Sequence, residues 1–135
     1  MKTNKLVKTV KLFGSFDVAV ILAKSNEDIP ISDTSDFLKV EDVKGMSFVK
    51  GIEDKIYAGI VFNSEELDNI DLDTIVHECF HIYFLLLDAI GQEPMSAEEL
   101  TQEIYAYTFG SFTNKVNKAF NYLKKIYQKG IDTKK

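Results

Sequence analysis

At 135 residues, with 45% hydrophobic and 27% charged residues and a net charge of −5, the chain has the size and composition of one globular domain. Its single cysteine excludes an internal disulfide framework and fits a reducing compartment. The longest apolar run, residues 82–87, is far shorter than the ~20 apolar residues that cross a bilayer, and we find no secretion signal. We therefore expect a single cytoplasmic domain over residues 1–135 with no membrane contact.

Positive charge is concentrated in two segments of the sequence. Residues 1–12 hold four lysines and no acid, residues 113–135 hold seven lysines and one aspartate, and the segment between them carries twenty acids against five lysines. Lysine-rich segments can bind nucleic acid, but the chain contains no arginine, the residue that contacts phosphate and guanine with a bidentate fork. We interpret the later lysines as a solvated helix face with a basic tail over residues 128–135, and we do not expect nucleic acid as a partner.

The first half of the chain predicts four β-strands, because four short segments are rich in Val, Ile, Leu and Phe and are bounded by turn residues. These segments are residues 5–13, 16–23, 46–50 and 55–62. A Gly-Ser pair separates the first two segments, as in a β-hairpin, and residues 51–54 provide a turn between the last two. Residues 25–42 are polar and acidic and are expected to be mostly loop, while Ser64 can cap a short helical turn.

From residue 71 the apolar spacing becomes helical. Asp71 or Asp73 favours the start of a helix over about residues 71–90, and Gly91 is placed to end it. The second half of this segment is apolar nearly all round, which predicts a buried helix.

A second helix is predicted over about residues 97–127. Ser96 and Glu99 match the S-x-x-E capping box that precedes many helices. Strands followed by helices predict an α+β domain, with a small, mostly antiparallel sheet of three to four strands packed on the first helix and on a second, antiparallel helix.

The first predicted helix carries the sequence His77-Glu78-Cys79-Phe80-His81. Residues i and i+4 lie about 40° apart around a helix and ~6 Å apart along it, so both imidazoles can converge on one ion. Glu78 follows His77 by about 100° and can reach a water molecule at the edge of that site. An accidental spacing is the alternative, but these are the two histidines of the chain, and burying them on an apolar helix is costly without a partner. We predict His77 and His81 as metal ligands, with zinc as the ion, and Glu78 as the catalytic base.

A third metal ligand is expected from the second helix. If that helix runs back antiparallel to the first, Glu103 descends ~10 Å and comes close to the level of the histidines. Glu103 shares a helix face with Ala106 and Gly110, whose small size would let the two helices approach closely. Glu98 and Glu99 lie too near the start of the helix and are interpreted as capping and dipole residues. An exposed carboxylate without a function is the alternative for Glu103.

Together these residues resemble a known family. His77-Glu78-x-x-His81 followed by Glu103-Ile104-Tyr105-Ala106 is similar to the H-E-x-x-H…E-x-x-A pattern of gluzincin-type metallopeptidases. The short length, and the Thr-Ile-Val that precedes the motif, resemble small metallopeptidase-like proteins encoded by phages and prophages. The resemblance covers residues 55–110 and implies a minimal zincin domain, with His77, His81 and Glu103 holding Zn2+ and Glu78 as general base. It also implies that a strand beside the active-site helix pairs with extended peptide, for which residues 55–62 are the candidate.

The sequence therefore predicts a zinc-dependent hydrolase, a metallopeptidase in which Glu78 takes a proton from the attacking water and passes it to the leaving nitrogen of a peptide or protein substrate. The alternative is a catalytically idle zincin-fold protein that binds zinc and acts as an interaction or scaffold module of a phage or prophage. An open site beside the histidines would favour the enzyme, whereas a fourth zinc position filled by protein would favour the scaffold.

Overall fold

The structure is a computed structural model that describes residues 5–14, 16–29, 39–89 and 99–132. In chain order, the described residues form β1 (Lys5–Leu12), β2 (Phe16–Ala23), β3 (Gly45–Ile52), β4 (Lys55–Asn63), α1 (Leu72–Ala89) and α2 (Glu99–Asp132). Short 3-10 turns lie at Asn26–Asp28, Val40–Asp42 and Ser64–Asn69. The predicted α+β class is confirmed.

The four strands form one mixed sheet in the order β1-β2-β4-β3. β1 pairs antiparallel with β2, and β3 pairs antiparallel with β4, as the turn signals in the sequence predict. The two hairpins are joined by a parallel pairing of β2 with β4, which the sequence does not reveal. As a result β4 is hydrogen-bonded on both sides, whereas β3 is an edge strand among the described residues.

Alternation of side chains along the strands gives the sheet two apolar faces. One face packs against both helices and forms the main core, which includes Val20, Ile60, Phe62, Ile82, Phe112 and Phe120. The other face carries a smaller cluster that the loop segments help to cover, and it includes Ile21, Ile29, Val40, Met46, Phe48 and Val61. The helices therefore lie together on one side of the sheet.

Helix α1 is buried on one side only, so the expected burial of this helix is found on its inward side alone. Its inward side includes Ile75, Cys79, Ile82 and Leu86. Its outward side carries large apolar residues that are 37–57% exposed, namely Leu72, Val76, Phe80 and Leu85. The physical reason is that one sheet face and one neighbouring helix cover only part of the circumference of α1.

Helix α2 is antiparallel to α1, as predicted, and continues to Asp132. Tyr83 packs against Tyr105, and Phe80 packs against Phe109, so residue numbers fall along one helix as they rise along the other. Residues 128–132, predicted as tail, are helical, while residues 133–135 and the predicted caps Gly91 and Ser96 lie outside the described residues.

In the part of the chain that the structure describes, neither helix combines the length and the apolarity needed to cross a membrane.

Candidate metal centre

His77 and His81 come together on the exposed face of α1. Their Nε2 atoms are 3.1 Å apart, and the two rings are nearly perpendicular, with an angle of 83° between their planes. At this distance one ring N–H can donate to the other ring nitrogen. Two imidazole nitrogens on one tetrahedral zinc ion would lie ~3.3 Å apart, given Zn–N distances of about 2.0–2.1 Å. The pair therefore has the separation that a shared zinc ion requires.

Glu78 lies between α1 and the sheet and is only 6% exposed. Its Oε1 accepts a hydrogen bond of 3.0 Å from the hydroxyl of Ser47 on β3. Its Oε2 lies 3.9 Å from Nε2 of His77. One carboxylate oxygen is thus bonded to the sheet while the other lies near His77. Burying a carboxylate without a hydrogen-bond partner is costly, and the hydroxyl of Ser47 supplies a partner here.

Gly45 provides the room that Glu78 occupies. A Cβ atom at Gly45 would lie 3.3 Å from Cγ of Glu78 and 3.3 Å from Cδ1 of Phe62, which is closer than a favourable carbon–carbon contact. Gly45 and Ser47 are two residues apart and so face the same side of β3, toward α1. β3 therefore positions the carboxylate through the Ser47 hydroxyl and through the missing side chain of Gly45. Neither residue is indicated by the sequence, because a glycine and a serine in a strand gain this role only once the strand order is known.

Glu103, the predicted third ligand, is exposed and is not gathered with the histidine pair. Within the described ranges, no three side chains of His, Cys, Asp or Glu are grouped so that they could hold an ion. The aromatic contacts explain this placement, because Phe109 is the α2 residue that reaches Phe80, in the histidine turn of α1. Tyr105 already lies opposite Tyr83, so Glu103 lies nearer the carboxyl end of α1. The ligand role of Glu103 stays a prediction.

Cys79 does not belong to the site, although it lies within the motif. Its side chain is fully buried in the core, and burial raises the pKa of the Cys79 thiol to about 12. The thiolate is the form that binds metals and attacks substrates, and it is strongly disfavoured here. Cys79 is the apolar packing residue that its position on the helix predicts.

The histidine pair borders an open groove on the outer face of α1. The groove has a volume of about 570 Å3 and is lined by Leu72, Asp73, Val76, His77, Phe80 and His81. Val76 and Phe80 are among its exposed apolar side chains. Water and the side chain of a larger molecule can therefore reach the ring nitrogens.

The prediction that residues 55–62 pair with a peptide is wrong. These residues belong to β4, which is paired with β2 on one side and with β3 on the other. A peptide can add only to an open sheet edge. Among the described strands, β3 is the edge strand that carries a contact to Glu78.

Comparisons of the chain with protein-family models, with curated proteins and with solved structures gave no match. The features of the chain that bear on its function are the histidine pair, Glu78 and the strand β3, which contacts Glu78 through Ser47.

Proposed function

We propose that the chain is a zinc-dependent hydrolase that cleaves peptide or amide bonds. The observation that carries this proposal is the convergence of His77 and His81, 3.1 Å apart, with Oε2 of the buried Glu78 3.9 Å from His77. The resemblance of the motif to gluzincin-type metallopeptidases supports the same activity. A mixed sheet with two long helices on one face is compatible with a minimal zincin domain.

His77 and His81 would hold the ion, and Glu103 is the proposed third ligand. Because the packing of α2 sets Glu103 nearer the carboxyl end of α1, its carboxylate would have to approach the pair when the ion binds. When bound by these residues, zinc would supply a Lewis acid that favours attack of water on a substrate carbonyl. The exposure of His77, whose side chain is 66% accessible, leaves space for water and substrate.

Glu78 would be the general base. The hydrogen bond from Ser47 holds Oε1 of Glu78, so Oε2 is already oriented near His77. Little side-chain freedom is therefore left to lose when the reaction begins. Oε2 would accept the proton of the attacking water and then deliver it to the leaving nitrogen. Gly45 and Ser47 would be positioning residues, since they act through Glu78.

We propose β3 as the strand that binds the substrate. An edge strand presents backbone N–H and C=O groups that an extended peptide can pair with. A peptide on β3 would pass Glu78, because Ser47 lies on this strand and contacts its carboxylate. The apolar groove of Leu72, Val76 and Phe80 would accept a large apolar side chain of the substrate.

Cleavage of a peptide mixture tests this function. The chain is stripped with a chelator, reloaded with one equivalent of zinc and incubated with peptides that differ at one position, which carries Asp, Lys, Ser, Leu or Phe. We expect new termini in the mass spectra with the zinc-loaded chain alone, and preferentially with Leu or Phe, because the groove is apolar. The chelator-treated chain is the control. A chain that binds zinc at the histidine pair but cleaves no peptide would contradict the proposal and favour the idle scaffold.

A further inference from the structure

The two lysine-rich segments of the sequence lie side by side in the fold. Helix α2 packs along β1, and Nζ of Lys8 on β1 lies 4.5 Å from the centre of the Tyr122 ring on α2. Lys11 of β1 and Lys115 of α2 line the same shallow groove. These segments are far apart in the sequence, so their adjacency follows from the fold alone.

The exposed side of α2 presents lysines in a row. Residues 104–131 contain five lysines and no acid. The helical period places four of them away from the core residues Phe112, Val116 and Leu123. These four exposed lysines are Lys115, Lys118, Lys125 and Lys129, and at 1.5 Å per residue they extend over ~21 Å. Together with Lys8, whose side chain reaches Tyr122 of α2, they are called the basic face.

Little negative charge in this region offsets the basic face. The ion pair of Lys11 with Asp17, at 2.8 Å, lies on the opposite face of the sheet, because Asp17 precedes Val18, which faces the helices in the main core. The chain as a whole carries a net charge of −5. The lysines are therefore concentrated on this face, although the chain as a whole is acidic. A surface that binds a polyanion is expected to show this pattern.

The neighbours of these lysines indicate which polyanion fits. Exposed positions beside them include Asn114 and Gln128, whose amides can donate hydrogen bonds to phosphate oxygens. A helix that lies on a membrane carries a continuous apolar face beside its lysines, whereas the large apolar side chains exposed within the row of lysines are Tyr122 and Ile126, and Lys8 lies over the ring of Tyr122. These features favour nucleic acid over an anionic membrane.

Contrary to the expectation from the sequence, and because the fold brings β1 and α2 together, we propose that the basic face binds the phosphate backbone of nucleic acid without sequence preference. Lysine acts as a point charge on phosphate, and without arginine the chain lacks the fork that reads guanine. The row of ~21 Å spans about six nucleotides of one nucleic-acid strand, at about 3.4 Å per nucleotide. This surface is formed by α2 and β1 and does not depend on the metal centre of α1.

Fluorescence anisotropy with the full chain and a short labelled duplex of mixed sequence tests the proposal. We expect binding at 50 mM salt that weakens steeply toward 200 mM, with a slope of log K against log salt of roughly −4 if most of the five lysines each contact a phosphate. Lys118→Ala combined with Lys125→Ala should reduce the slope by about two and weaken binding on the order of tenfold or more. The matched control is Lys39→Ala with Lys55→Ala, which changes the net charge equally at two exposed lysines outside the basic face; it should leave the slope nearly unchanged.

Three outcomes would overturn the proposal. The first is no binding of the duplex, nor of a labelled single strand, at the lowest salt. The second is equal weakening by the two lysine pairs, which would show diffuse attraction and no defined face. The third is binding to vesicles that contain phosphatidylserine, with the same dependence on Lys118 and Lys125, but no binding to nucleic acid, which would reassign the basic face to membranes.

Discussion

Glu78→Gln is expected to lower the turnover of the zinc-loaded chain by about 10²- to 10⁴-fold while the chain keeps one bound ion. Glutamine has nearly the shape of glutamate, and its amide oxygen can still accept the hydrogen bond that Ser47 donates to Oε1. An amide cannot take a proton from water, so the step assigned to Oε2 is lost while the packing is retained. The measurement is kcat on the best peptide of the mixture, together with zinc content by atomic emission.

The matched control for Glu78→Gln is Asp68→Asn, which makes the same chemical change at an exposed carboxylate on the 3-10 turn before α1. Its turnover should stay within about twofold of the parent chain, as expected of a surface substitution. Full activity of Glu78→Gln would remove Glu78 from the mechanism. Loss of zinc together with activity would make Glu78 a ligand, in conflict with its role as base.

Phe62→Ala is expected to lower the free energy of unfolding by about 3–5 kcal/mol. Phe62 is fully buried on β4, and its ring lies 4.8 Å from that of Phe120 in an edge-on contact. It also lies beside Gly45, against the space that Glu78 fills. Truncation would leave a cavity between the sheet and α2 beneath the proposed base. Urea unfolding followed by circular dichroism measures the loss.

Tyr57→Ala is the control for Phe62→Ala, because it truncates an aromatic residue on the same strand that is 41% exposed. Its cost should be about 1 kcal/mol, well below that of Phe62→Ala, since about two fifths of the surface of Tyr57 stays in contact with water in the folded state. Equal costs at the two positions would contradict the placement of Phe62 at the centre of the core.

The strands and the motif helix could be predicted because their signals are local. The two hairpins follow from apolar segments separated by turn residues, and α1 follows from helical spacing of apolar residues. The parallel pairing of β2 with β4 could not be predicted, because the local sequence of β2 shows that it is buried but does not show which strand lies beside it. This pairing is what leaves β3 as an edge and excludes β4 as a peptide-binding strand.

The candidate site was predictable only where its residues share one helix. His77 and His81 are held together by the geometry of α1, whereas Ser47 reaches Glu78 from 31 residues away in the sequence. Residue counts along the two helices predict the level of Glu103 beside the histidines, whereas the packing of Phe109 on Phe80 sets the register of the helices. Contacts between distant elements depend on side-chain packing, which residue spacing does not encode.

Calorimetric titration of zinc into the chelator-stripped chain tests most directly whether His77 and His81 form a metal site. We predict one ion per chain, and a loss of affinity on the order of 100-fold or more in both His77→Ala and His81→Ala, since loss of an outer-shell partner alone costs 10–100-fold. Glu103→Ala should also weaken binding if its carboxylate completes the site. Failure of the parent chain to bind zinc, or unchanged binding when both histidines are replaced, would contradict the account.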